Sequence, residues 1–372
     1  MKPWVARASS IMLAGLVAIA TIGAASPAQA LELGSGYDVS YPQCGATLPT
    51  DGAFKIVGIN GGLVFSENTC LDEQLTWAGG TSAQLYINTG NLGPTSSFWP
   101  TGQNSPRVCS AETPDSTGCA FNYGYNAAKD SYQRVQAAYT RLGLTKSPAQ
   151  TTWWLDVETS NSWRGSLWVE STPALTGTDA TSRNIASVSG AVHYLQSVAK
   201  ITKLGIYSTP YQWGQITGSS KAFSDLVSWH ALGQTDSASA LAACTGFSGF
   251  TGAPIVMTQY IDADLDLDVN VRCNPAVKVI TDLRYTGRTT MRAGSYGYLI
   301  ANLKTESGAT MANRQVTFKF AGRSYVATTN ELGTASVKIK MPSTKQKYSL
   351  SVSFFSNYYL NSDVAKSTLT IY

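Results

Sequence analysis

A chain of 372 residues has room for two domains, one large and one small. Its formal net charge of +4 conceals a split: residues 31 to 277 carry 12 Lys and Arg against 19 Asp and Glu, a balance of −7, whereas residues 278 to 372 carry 13 against 4, a balance of +9. The acidic body argues against nucleic-acid work, and two histidines with no CxxC pair or Cys/His cluster argue against a zinc centre.

The chain opens on an export pattern. Lys2 and Arg7 make a basic start, "IMLAGLVAIATIG" is a short apolar core, and "AQA" at 28 to 30 is a small-residue cleavage site. This predicts a secretory signal peptide over residues 1–30, too short in its apolar core to span a membrane, and a mature chain beginning near Leu31 outside the cytoplasm. No later stretch is apolar enough to cross a bilayer, so no membrane span is expected after signal removal. All six cysteines (Cys44, Cys70, Cys109, Cys119, Cys244 and Cys273) precede residue 274, and their even number fits an oxidising compartment. Closeness in sequence suggests Cys44–Cys70, Cys109–Cys119 and Cys244–Cys273, but six cysteines allow 15 pairings and the spacing does not choose among them.

From Gly36 to Cys273, strand-like runs alternate with helical patterns. "YDVSY", "KIVGIN", "AQLYINT", "TTWWLDVET", "LGIYST", "LVSWHAL", "PIVMTQYI" and "LDVNVRC" read as strands, with helices at "LDEQLTWA", "YNAAKDSYQRVQAAYTRLG" and "ATSRNIASVSGAVHYLQSVAKITK". The alternation predicts an α/β fold with parallel strands and crossover helices. Roughly eight strands in about 240 residues match a modified (β/α) TIM-like barrel over residues 31–277. A doubly wound open sheet is the rival, without its usual dinucleotide version because no GxGxxG follows the first strand. Residues 91 to 123, rich in Pro, Ser, Thr and Gly, read as a long loop clipped by Cys109 and Cys119. After Pro275 the pattern alternates apolar and polar residues with "NELG" as a turn. It predicts an all-β, cysteine-free immunoglobulin-like sandwich over residues 278–372.

The stretch "TTWWLDVETS", residues 151 to 160, puts Asp156 and Glu158 on one side of a strand. Two like charges beside tryptophans are costly unless water, partners or a substrate offset them. Either the strand has ended and both acids are solvated, or they form a catalytic carboxylate pair. In a barrel the strand ends gather at one rim, where chemistry sits. Polar residues near such ends are Asp38, Asn88, Asp156, Glu158, Tyr207, Gln259 and Asp268, with Trp154, Trp229 and Tyr260 as candidate aromatic walls. Asp38 and Asp268 lie on the first and last strands and meet only if the barrel closes. Glycoside hydrolysis needs two carboxyl groups, one protonated to donate to the leaving oxygen and one ionised. Crowding pushes carboxyl pKa values apart and supplies the protonated member. Cα atoms two apart on a strand are separated by about 6.6 Å, which does not decide between retaining and inverting geometry.

In order along the chain, "GYDVSYPQ", "WWLDVE", "GIYSTPYQW" and "QYIDADLDLDVN" resemble the lysozymes of glycoside hydrolase family 25. With "KIVGINGGLVFSENTCL" they resemble still more a family of bacterial secreted proteins with a glycoside-hydrolase-like domain, over roughly residues 34 to 275. The resemblance implies a modified (β/α) barrel cutting the β-1,4 bond after N-acetylmuramic acid in peptidoglycan. It implies Glu158 as general acid and Asp156 as stabiliser of the charged transition state or of an oxazolinium-type intermediate. Asp38 and Asp268 would complete the acidic floor. Asn88, Trp154, Tyr207, Trp229, Gln259 and Tyr260 are the candidate substrate-binding residues. The chain departs from the lysozymes at Pro42 before Gln43, at "INGG" (Asn60 to Gly62) in place of an acidic "ATEG"-like element, and at Thr258 before Gln259-Tyr260, where they usually carry Trp. Different substrate walls are therefore expected.

Several plainer readings stand beside these. "DADLDLD", Asp262 to Asp268, resembles a calcium loop but lacks its Gly at the sixth position and Glu at the twelfth, and no metal or other cofactor is expected. His193 and His230 read as structural, without a Ser or Cys nucleophile motif nearby. The expectation is a secreted or wall-associated glycosidase-like protein whose partner is peptidoglycan or a related polysaccharide, with an anionic wall polymer as a second partner through its basic C-terminal domain. The alternatives are a non-catalytic glycan-binding module on the same barrel, or an adhesin or wall-structural protein led by its sandwich.

Overall fold

In the first half of the chain, short runs of Val, Ile, Leu and Trp have the β-branched and aromatic character that favours strands. A computed structural model describes residues 34–165, 177–246, 249–262, 267–273, 281–305, 308, 310–311, 314–330, 332–354 and 363–372. The export signal read over residues 1–30 lies outside the described residues, as do residues 263–266 of the acidic "DADLDLD" stretch. Eight strands close into a barrel in sequence order: β1 (Ser35–Val39), β2 (Phe54–Gly58), β3 (Gln84–Asn88), β4 (Thr152–Asp156), β5 (Lys203–Ser208), β6 (Val227–Gln234), β7 (Ile255–Asp262) and β8 (Leu267–Arg272). The sheet is closed, so the open doubly wound alternative is excluded.

Strands β1 to β7 run parallel, but β8 is antiparallel to both β7 and β1. The expected run of parallel strands therefore fails at the last one. Only residues 263–266 separate β7 from β8, far fewer than a crossover to a parallel strand needs.

Among the described residues five α-helices flank the barrel: α1 (Leu71–Trp77), α2 (Thr117–Arg141), α3 (Gly177–His193), α4 (Pro210–Thr217) and α5 (Ser237–Gly246). Alternation along β4 divides its side chains between two cores. Trp153 and Leu155, with Val157 just beyond, pack outward against residues of α2 and α3, whereas Trp154 packs inward with Ile56, Trp229 and Met257. Helix α2 begins eight residues before the predicted pattern, at Thr117, so the loop read over 91 to 123 is shorter than expected. The Ser116 hydroxyl caps it by accepting from the Cys119 N–H at 3.2 Å. Two glycines, Gly118 and Gly124, hide these first two turns from the sequence pattern. Gly124 is required where α2 crosses α3, because a Cβ there would lie 1.9 Å from the Ser187 carbonyl oxygen. Helices α4 and α5 carry no clear apolar period and escape the sequence reading. Asp236 caps α5 through the Ser239 N–H at 2.7 Å.

Cys44–Cys70, Cys109–Cys119 and Cys244–Cys273 are the three disulfides, all in the barrel half. Among the described residues no helix is long and apolar enough to cross a membrane.

The remaining strands are β9 (Thr281–Tyr285), β10 (Thr290–Met291), β11 (Tyr296–Thr305), β12 (Gln315–Phe320), β13 (Arg323–Thr328), β14 (Thr334–Lys340), β15 (Lys347–Phe354) and β16 (Asp363–Ile371). They form a five-stranded sheet, β10-β16-β15-β12-β13, and a three-stranded sheet, β14-β11-β9. Both contribute to one apolar cluster that includes Leu299, Ala335, Phe318, Val352 and Leu369. The "NELG" turn joins β13 to β14, which belong to different sheets, so it is a corner between sheets and not a hairpin. The Asn330 side chain holds it by accepting from the Leu332 and Thr334 N–H groups, each at 3.0 Å. Arg314, just before β12, reaches the loop before β6, where its Nε donates to Asp225 Oδ2 at 2.6 Å and a second guanidinium N–H reaches the same oxygen. Both side chains are buried.

Candidate active site

Parallel register sets the site. Asn88, Asp156, Tyr207 and Trp229 stand opposite one another across β3, β4, β5 and β6, so four predicted site residues form one cross-strand row. Directly paired residues point to the same face. On the other side of the barrel Asp38 on β1 is paired with Asp268 on β8, and Gln259 on β7 with Asn270 on β8. Closure therefore brings the first and last strands together as the acid pattern required.

Strand β4 ends at Asp156, yet the acid does not become solvated: it is 4% exposed. Asn88 Nδ2 donates to Asp156 Oδ2 at 2.5 Å. The chain beyond is pinned by side chains: the Thr89 hydroxyl donates to the Asp156 carbonyl at 2.5 Å and Trp163 Nε1 to the Glu158 carbonyl at 2.8 Å. Glu158 is half-buried, and Gln212 Nε2 approaches its Oε1 at 3.4 Å. Gln212 is itself fixed, because its Oε1 accepts from the Thr159 N–H at 2.6 Å and its own N–H meets the capping Thr209 hydroxyl at 3.0 Å.

Burial, and then the charge of Glu158, push the Asp156 carboxyl well above the ordinary carboxylate range, against the opposing amides of Asn161 and Asn88. Burial also raises Glu158, with Gln212 opposing. The crowded pair thus tends to retain a proton, and burial favours Asp156 as its resting place. Asp38 is likewise pushed well up by burial and by the charge of Asp268, although two amides support its ionised form. Those amides are Gln259 Nε2 at 3.0 Å and Asn270 Nδ2 at 2.6 Å, both donating to Asp38 Oδ1. The Tyr207 hydroxyl donates to Gln259 Oε1 at 2.6 Å, linking the Asp156 row to the Asp38 cluster. Burial raises the Tyr207 phenol well above its usual value, so it stays a proton donor.

Two predicted aromatic walls lie elsewhere. Tyr260 alternates away from Gln259 and packs outside the barrel with Ala240, Val269 and Val271, so it does not join the carboxylates. Trp154 lies two residues before Asp156, inside the barrel and only 2% exposed, and forms a floor instead of a wall. Gly205 makes room for its ring, since a Cβ there would sit 2.3 Å from the Trp154 ring. The ring meets Trp229 edge-on at 5.5 Å, and Trp229 meets Tyr207 at 4.5 Å. His230 packs near Phe250 at 6.3 Å between ring centroids and His193 near Phe121 at 5.6 Å, both away from the carboxylate rows. Among the described residues no group of three His, Cys, Asp or Glu side chains converges as metal ligands.

The departures from the lysozyme motifs also find positions. Thr258 faces outward and its hydroxyl donates to the Ala240 carbonyl at 2.9 Å, so this change does not alter the interior wall. Asn60 is buried, donates to Ser131 Oγ at 3.1 Å and accepts from the Asn88 N–H at 3.1 Å. It supports the row from behind. Gln43 closes a tight turn by accepting from the Ser40 N–H at 2.9 Å.

Asn270, Gln212, Asn161 and Tyr86, whose ring meets Trp229 edge-on at 6.3 Å, escaped the sequence reading. Three had a signal: Asn270 is two residues from Asp268 and Tyr86 two from Asn88, hence on the same strand faces. Gln212 was marked by the Thr209-Pro210 pair, an N-cap followed by proline at the first helical position. Asn161 lies in an irregular turn and had none.

No protein-family model matches the chain, and no curated protein matches it. Among solved structures, a Bacteroides uniformis beta-glucuronidase aligns at 10% identity over 85% of this chain and 42% of its own, with a TM-score of 0.27. An endo-beta-1,4-mannanase from Thermotoga petrophila aligns at 7% identity over 86% of this chain and 91% of its own, with a TM-score of 0.20. A CARDB domain from Pyrococcus furiosus aligns at 10% identity over 24% of this chain and 93% of its own, also at 0.20. This chain spans less than half of the glucuronidase. Likenesses of this strength carry no argument about its chemistry.

Proposed function

We propose that the chain is a secreted glycosidase-like protein that hydrolyses bacterial cell-wall glycan in the muramidase manner. The barrel, residues 31–277, is read as a modified (β/α) TIM-like barrel and residues 278–372 as an immunoglobulin-like sandwich. One observation carries the activity: two crowded carboxyls, Asp156 and Glu158, are both raised toward protonation at the end of a barrel strand, with Asp38 and Asp268 facing them from the closing strands.

The resting proton lies on the deeper Asp156. Moving it to Glu158, the more exposed of the two, arms Glu158 as general acid and leaves Asp156 ionised. Glu158 then protonates the glycosidic oxygen as the bond to the anomeric carbon breaks. Asp156, steered by Asn88, stabilises the positive charge that develops on the sugar or on an oxazolinium-type intermediate. Water adds to the anomeric carbon and its proton returns to Glu158. Gln259, held by the Tyr207 hydroxyl, orients Asp38, and the Tyr207 oxygen, its proton given to Gln259, is left to accept from a sugar hydroxyl.

The test is release of new reducing ends from purified peptidoglycan by the full chain, abolished in Glu158→Gln. The burial of Asp156 beneath its Asn88 clamp favours a second reading, a barrel that binds glycan without cutting it. Saturable binding of muramyl oligosaccharides with no new reducing ends would select that reading.

A further inference from the structure

The outer face of the five-stranded sheet carries a row of side chains that the barrel's chemistry does not use. Strand pairing sets Ser324, Lys319, Ser351 and Lys366 opposite one another across β13, β12, β15 and β16. The row borders a groove of about 1050 Å³ that also includes Arg323 and Thr368 and contains no Asp or Glu among its lining residues. The lysines of the row stand on either side of β15, so their Cα atoms are separated by about 10 Å, two strand spacings.

These cations have no internal task. Among the described residues no carboxylate pairs with Lys319, Arg323 or Lys366. The described acids of this half are engaged elsewhere: Asp363 accepts from the Leu283 and Val364 N–H groups at 2.7 Å each, and Asp282 pairs with Arg284 at 2.9 Å. Lysines often guard an exposed sheet edge, but Lys319 sits on β12, which is paired on both sides at that position. Ammonium groups interleaved with hydroxyl donors match the oxygens of a phosphodiester chain, each lysine acting as a point charge and each Ser or Thr as a neutral donor.

We infer that this face is a docking site for a linear polyol-phosphate polymer of the cell wall, with Lys319 and Lys366 as its two anchoring charges. The choice of a wall polymer shares the surroundings of the wall-glycan reading. The binding itself does not need the barrel's activity.

The test is titration of the full chain with polyglycerol phosphate, which has no glycosidic bond, so hydrolysis by the barrel does not enter the result. Binding should weaken steeply between low and physiological salt. The double substitution Lys319→Ser/Lys366→Ser should cost on the order of 10- to 30-fold at low salt. An equal charge change on the other sheet, Lys338→Ser/Lys340→Ser, should cost less than about twofold. Circular dichroism melting confirms that both variants fold, since all four lysines are exposed. Equal losses in the two variants would make the attraction undirected and overturn the site. Equally tight binding of polyglutamate would overturn the phosphate assignment, and no binding by the unmodified chain would overturn the proposal outright.

Discussion

The barrel and the C-terminal sheets solve opposite problems with similar strands. The barrel places acids inside, at Asp38 and Asp156, where desolvation works against their charge, and it contains all three disulfides. The sheets hold an apolar core of Leu, Phe, Val, Met, Ile and Ala and, apart from Arg314 at the seam, turn their described cations toward solvent. Buried carboxyls and a covalent constraint occur together in one half; among the described residues of the other half, the buried charge is Arg314 at the seam, and there is no disulfide. A region that hosts strained electrostatics must find its stability elsewhere, in packed tryptophans and cross-links. A region that only folds and presents a face does not need to.

The largest effect expected on this contrast is catalytic. Glu158→Gln keeps the shape of the side chain but cannot donate a proton, so reducing-end release should fall by about 10²- to 10⁴-fold with the melting temperature nearly unchanged. Lys319→Ser/Lys366→Ser should leave turnover of small soluble fragments intact. If the lysine pair and Glu158 proved equally important on small fragments, the division of labour would be broken.

The seam comes next. Removing one partner of the buried Arg314–Asp225 pair strands a charge, so Arg314→Ala should destabilise by about 3–5 kcal/mol. The double change Asp225→Leu/Arg314→Met should recover most of that loss. Every tryptophan lies at or before Trp229, so tryptophan fluorescence follows the barrel while far-ultraviolet circular dichroism follows both halves. Coincident transitions in the parent chain that separate in Arg314→Ala would identify this pair as a coupling between them. A third effect is confined to the barrel. Replacing Cys109 and Cys119 by Ser opens a loop with a sequence separation of 10 and should cost about 2–3 kcal/mol, seen in the fluorescence transition.

The smallest effect has a sign fixed by the raised carboxyl. Asp156 binds its proton more tightly folded than unfolded, so its favourable contribution is complete below the unfolded value near 4 and is lost as pH rises through the folded value. Asp156→Asn, which cannot ionise, should therefore melt a few degrees higher than the parent at pH 7, on the order of 2–4 °C per kcal/mol. The two should converge as pH falls below about 4. A variant that is less stable than the parent at pH 7 would show that the Asn88 bond outweighs burial.

Alternation along "TTWWLDVE" determined by itself that Asp156 and Glu158 share a side, and the period of two along β12, β15 and β16 determined which of their residues are apolar and inward. Local capping chemistry was also present in the sequence, at Ser116 and at Thr209-Pro210, although glycines and a missing apolar period obscured the helices that follow. These features are legible because they depend on neighbours within a few residues. Only the tertiary structure decided that β8 runs antiparallel, that Tyr260 faces α5 while Gln259 reaches Asp38, and that Trp154 fills the barrel floor beneath the acids. The same is true of Asn270 and Gln212, whose partners lie far along the chain, and of Arg314, whose partner Asp225 sits across the seam. Ring closure sets which distant strands touch, and burial, which only closure creates, raises Asp156 and Asp38 above the range their sequence neighbours imply.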